Sequence, residues 1–126
     1  MPALADTSLR PDERALLDGF VAKLRSSLAE ELHAVWLFGS RARGEEPVGE
    51  ESDVDLLVLV QDASWDGKAR VHAALSEAAK DLQLEGSEWS FSVHVRTPGW
   101  LAGRREIRSF FIGEVDRDKV VLHGVQ

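Results

Sequence analysis

The sequence predicts an α/β (α+β) domain in which a mixed sheet of about four strands carries helices packed on one face. Two observations predict it. Apolar or alternating runs of strand length at 34–38, 53–60, 89–96 and 119–124 are separated by stripes of helical period. Those stripes are each one-sided, and the run at 89–96 is polar at every second position, which leaves one sheet face uncovered.

Taken in order, Leu16, Leu17, Phe20, Val21, Leu24 and Leu28 follow helical spacing after Pro11, so residues near 11–30 should form a helix laid on the sheet. Ala34-Val35-Trp36-Leu37-Phe38 is β-branched, aromatic and apolar, as a buried strand requires, and it ends at Gly39. A short helix should follow, with Ser40 at or near its N-cap. The next strand is Asp53-Val54-Asp55-Leu56-Leu57-Val58-Leu59-Val60. Val71, Leu75, Ala78, Ala79 and Leu82 mark a helix over roughly 67–84 with Asp66 as its N-cap. The third strand places Trp89, Phe91, Val93 and Val95 inside and Ser90, Ser92 and His94 outside, with Glu88 at its start on the same open face. Thr97-Pro98 should cap and open one long helix carrying Trp100, Leu101, Arg104, Ile107, Phe110 and Phe111. Trp36, Trp89 and Trp100 are expected to pack in the core. Trp65, in the polar loop 61–67, either staples a helix entry or offers a ring to a base or a partner protein.

The chemistry sits between the first two strands. Backbone N–H groups in the turn at Gly39-Ser40 can cradle phosphate oxygens, and Arg41 and Arg43 can add charge-assisted contacts to the same anion or stand as two solvated arginines. Asp53 and Asp55 point the same way because strand side chains alternate, with Cα atoms about 6.5–7 Å apart. On its own an Asp-x-Asp is equally a strand cap, but beside a Gly-Ser strand exit the two carboxylates read as a metal–triphosphate site.

Phe38-Gly39-Ser40-Arg41-Ala42-Arg43-Gly44 followed by Ser52-Asp53-Val54-Asp55-Leu56-Leu57-Val58 resembles the nucleotidyltransferase superfamily of DNA polymerase beta and kanamycin nucleotidyltransferase, and within it the minimal, antitoxin-type group. The match is strong over 34–60 and weaker through Thr97-Pro98 and the closing strand. The resemblance implies Mg²⁺ (or Mn²⁺) on Asp53 and Asp55, an NTP such as ATP held by Gly39, Ser40, Arg41 and Arg43, and transfer of a nucleoside monophosphate to a hydroxyl. It also implies a small helical partner of the HEPN type, as in toxin–antitoxin pairs. Two departures stand out. The acidic insert at 45–51, with Pro47 and Gly49, is a few residues long for the group, and the family's third carboxylate falls on Ser92. Losing that acid would weaken the catalytic metal more than nucleotide binding, so an impaired enzyme, or a degenerate nucleotide-binding or interaction module, is the alternative. His94 and Glu88 are the nearby groups that a different register would bring to the metal.

Composition sets limits. Residues 1–126 are expected to form one domain, with 44% hydrophobic content and no long apolar run. There are no cysteines, so any metal must take oxygen or imidazole ligands. Met1 to Arg10 lacks a basic stretch leading into an apolar one, which points to the cytoplasm. Acids outnumber bases 22 to 15, for a net charge of -7, and this disfavours a long nucleic-acid substrate. Arg104-Arg105-Glu106-Ile107-Arg108 is the one local exception and reads chiefly as a solvated helix face. The chain is too short for the acceptor-binding domain of larger family members, so a homodimer or hetero-oligomer should supply that surface.

Overall fold

The computed structural model describes residues 7–45 and 53–126; the insert from residue 46 onward and Ser52 lie outside the described residues. The elements run α1 (Pro11–Leu28), β1 (Leu32–Phe38), α2 (Gly39–Ala42), β2 (Val54–Val60), α3 (Trp65–Asp81), β3 (Phe91–Arg96), α4 (Pro98–Glu106), α5 (Phe110–Asp118) and β4 (Val120–Gly124), with single 3-10 turns at Ala29–Glu31 and Ser87–Ser90. The sheet is mixed and four-stranded as expected, in the order β3-β2-β1-β4. β1 is antiparallel to both β2 and β4, while β2 and β3 run parallel. The C-terminal end of β1 therefore lies beside the N-terminal ends of β2 and β3.

Helices cover both faces, which corrects the one-sided layer read from the sequence. On one side α1 and α3 pack Leu16, Leu17, Phe20, Leu24, Val71, Leu75 and Ala78 onto Val35, Leu37, Leu56 and Val58. On the other, Leu101 of α4 and Ile112 and Val115 of α5 cover Ala34, Trp36, Leu57 and Leu59. The alternation of the 89–96 run describes only an edge strand. The two central strands are apolar on both faces, and each buried CH₂ is worth about 0.8 kcal/mol, so a second helical layer is the favourable outcome. Trp36 sits at the centre of that layer, fully buried, its Nε1 donating to the Val125 carbonyl at 2.7 Å.

Local rules shift several boundaries. Asp62 accepts a hydrogen bond from the Ser64 N–H at 2.8 Å, and this turn starts α3 at Trp65, placing Ser64 rather than Asp66 at the N-cap position. Gly67 is required there, since a Cβ would lie 1.8 Å from the Asp62 carbonyl oxygen. Trp65 is 86% exposed and staples nothing. Thr97 does cap α4, its Oγ1 accepting from the Trp100 N–H at 3.1 Å. The long helix expected beyond it breaks at Ile107–Ser109, where Arg108 takes φ 54, so that α5 can lay Ile112 and Val115 on the sheet. The same break leaves Ile107 and Phe110 exposed.

Candidate active site

The antiparallel register pairs Phe38, the last residue of β1, with Asp55 in β2. The chain then turns at Gly39, which has φ +78. A Cβ at that position would meet Asp55 Oδ2 at 2.6 Å, so glycine is demanded twice, by the left-handed backbone and by the carboxylate pressed against it. This close approach sets the Gly-Ser turn against Asp55. Ser40 stands beside Gly39 in the single turn of α2, half-buried.

Asp53 is exposed just before β2, and Asp55 is half-buried at its second position. Burial pushes the Asp55 carboxyl above the usual carboxylate range; His94 draws it back down, the charge of Asp53 raises it, and Arg43 lowers it again. Two carboxylates on neighbouring like-facing positions at the start of one strand are suited to a hard divalent ion. Among the described residues no three His, Asp or Glu side chains gather into a metal-holding group. Mg²⁺ is commonly held by one or two carboxylates together with substrate phosphates, so Asp53 and Asp55 fit the ion without a third protein ligand.

The two arginines differ. Arg41 turns inward: it is 1% exposed, ion-paired with the buried Glu13 of α1, and its Nη2 donates to the Ser8 carbonyl at 2.9 Å. Its place in the phosphate site is corrected accordingly, because a guanidinium buried on a carboxylate is committed to the scaffold. Arg43 stays at the mouth, donating to Glu45 at 3.0 Å and to Asp118 of α5 at 3.2 Å.

The parallel ladder pairs Asp55 directly with Ser92. A hydroxyl therefore stands one strand spacing from Asp55. His94, two residues along the same face, has its Nε2 3.4 Å from Ser92 Oγ. Its ring lies 5.7 Å from Phe38 and 6.3 Å from Phe111, which are themselves in edge contact at 5.6 Å. Glu88 does not share that face. It sits in the 3-10 turn before β3, its carboxylate accepting from the Gly86 N–H at 2.9 Å, and Ser90 closes the same turn by donating to the Ser87 carbonyl.

Trp89 was expected in the core, yet it is 85% exposed. It lines a cleft of about 370 Å³ with Asp53, Arg10, Asp12, Glu13 and Ser87. The sequence signal that could have found it is Gly86-Ser87 three residues earlier: Gly86 has φ +94 and starts the turn that swings the indole out.

Comparison with known proteins agrees with this geometry. No curated protein matches the sequence. Among solved structures, a chain of the crystal structure of a toxin–antitoxin with AMP-PNP superposes with a TM-score of 0.50 over 86% of this chain and 73% of that one, at 21% identity, and so shares the fold. The family model described as polymerase beta, nucleotidyltransferase matches residues 22–89, more than half of the chain and the span that holds β1, the Gly-Ser turn and both acids. The protein belongs to the polymerase beta nucleotidyltransferase family.

Proposed function

We propose that residues 1–126 act as one minimal nucleotidyltransferase unit that binds an NTP, such as ATP, with Mg²⁺ or Mn²⁺ and transfers its nucleoside monophosphate to a hydroxyl. The observation that carries this is the close approach of Gly39 to Asp55, which sets the Gly-Ser turn against one of the two carboxylates. Asp53 and Asp55 would hold the divalent ion. That ion, when bound, supplies charge neutralisation and Lewis-acid polarisation at the α-phosphate. Gly39 and Ser40 bind the outer phosphates through backbone N–H groups and the Ser40 hydroxyl, and Arg43 offers a cation at the same mouth. The Phe38, His94 and Phe111 rings form an apolar wall that limits water beside Asp55.

A second reading is favoured by one observation, the hydroxyl of Ser92 where the family carries a carboxylate. Under it the chain is a degenerate nucleotide-binding or interaction module of the antitoxin type, pairing with a HEPN-type helical protein or with a second copy through surfaces such as Ile107 and Phe110, 68% and 82% exposed. Among the described residues no helix is long and apolar enough to cross a membrane. Either role suits the cytoplasm, where Mg–NTP is at hand.

Calorimetry with Mg²⁺ and α,β-methylene-ATP tests the nucleotide site. The wild type is expected to bind and Asp55→Asn to lose most of that affinity; equal binding by the two would reduce the acids to a strand cap.

A further inference from the structure

A nucleophile and a base already stand together beside the metal carboxylates. Ser92 is the rung opposite Asp55, about 4.8 Å away across the ladder. Its Oγ lies 3.4 Å from His94 Nε2, a distance typical of a serine–histidine pair before substrate tightens it. Such pairs need the base held by a third group, and here the imidazole is fixed by ring contacts with Phe38 and Phe111. Phosphates seated at Gly39 and Ser40 lie on the β1 side of Asp55, and Ser92 lies on the β3 side. With phosphates so seated, an in-line attack opposite the pyrophosphate leaving group would come from the Ser92 side.

We propose that Ser92 is itself a nucleotide acceptor: with Mg²⁺–ATP bound, the chain places AMP on its own Ser92, with His94 as general base. This rests on the nucleotidyltransferase reading above. The Ser92 O–H proton passes to His94 Nε2 as Oγ bonds to the α-phosphorus, and the bond from that phosphorus to the bridging oxygen of the β-phosphate breaks. Pyrophosphate leaves with the bridging electron pair, and the proton is later lost from His94 to water. The serine that replaces the family's third acid thereby becomes a substrate. A bound AMP would then fill the acceptor side, so the reaction stops at one nucleotide per chain.

The full chain is incubated with Mg²⁺–ATP, quenched in denaturant and weighed by intact-mass spectrometry, with peptide fragmentation to locate the adduct. One AMP per chain on Ser92 is expected, none on Ser92→Ala, and a rate at least about a hundredfold lower for His94→Ala, partly restored by free imidazole. Calorimetry with Mg²⁺–α,β-methylene-ATP runs alongside, and the wild type should bind it. Binding without an adduct on Ser92, or an adduct on another residue, overturns the proposal and leaves the nucleotide site standing. An adduct on Ser92 that forms as fast in His94→Ala overturns the role of the base. No binding by the wild type overturns the nucleotidyltransferase reading itself.

Discussion

Replacing Glu13 by Gln would remove the carboxylate that pairs with the buried guanidinium of Arg41. Arg41 and Glu13 are 1% and 4% exposed, and the guanidinium also donates to Ser8, to its carbonyl at 2.9 Å and to its hydroxyl at 3.3 Å. Removing one partner of a buried pair costs about 3–5 kcal/mol, because the other charge stays desolvated. Against a total stability of about 5–15 kcal/mol, that is a large fraction, and for a chain of this size it lowers Tm by roughly 10–20 °C. The double replacement Glu13→Leu with Arg41→Met removes both charges and should recover most of the loss, since an apolar substitute for a buried pair is often neutral or better. Thermal and urea melts of the three proteins measure this, and calorimetry with Mg²⁺–α,β-methylene-ATP adds the functional half: the double variant should bind as the wild type does. A loss below about 1 kcal/mol in Glu13→Gln would show that the pair is solvated. A double variant that melts normally but no longer binds nucleotide would return Arg41 to the phosphate site.

Three further outcomes follow from the same geometry. The Asp55 carboxyl is held above its ordinary range mainly by burial, so its ionisation costs stability that is intact below the unfolded value and lost as pH rises through the folded one; Asp55→Asn should melt at or above the wild type at neutral pH, with the gap closing in acid. Gly39→Ala puts a methyl 2.6 Å from Asp55 Oδ2 in a left-handed turn, which should cost about 1–2 kcal/mol of stability and about tenfold in nucleotide affinity by displacing the carboxylate. Ser92→Asp adds a third acid one rung from Asp55, so its Tm should fall without metal and recover with Mg²⁺, and a Tm no more Mg²⁺-dependent than that of the wild type would show that the residue does not face the site.

Much of the fold was legible because each strand had a pattern of its own. β1 and β2 are continuous apolar runs, and Thr97-Pro98 and Pro11 open helices by fixed local chemistry. What failed was the inference from one strand to the whole sheet. The polar alternation of 89–96 reflects an edge position, and the buried outward residues Trp36, Leu57 and Leu59 were the signal for a second layer. The break between α4 and α5 was illegible for a different reason. Arg104, Ile107, Phe110 and Phe111 keep helical spacing across it, and only the gain from seating Ile112 and Val115 on the far face pays for Arg108 in a left-handed conformation.

The site shows the same division between local and tertiary information. The approach of Gly39 to Asp55 could be read because it depends on spacing along two neighbouring strands, and the pairing of β3 sets Ser92 beside Asp55. Arg41 could not, since its fate is decided by Glu13, a residue 28 positions earlier on another helix. An alternating Arg-x-Arg beside a turn carries no mark that one side chain will be buried and the other left at the mouth with Glu45 and Asp118. Trp89 and Glu88 were misplaced by one cause: Gly86 starts a 3-10 turn that consumes the first two residues of the expected strand. That turn gives the cleft beside Asp53 its indole wall, so the feature that defeated the strand assignment shapes the approach to the acids.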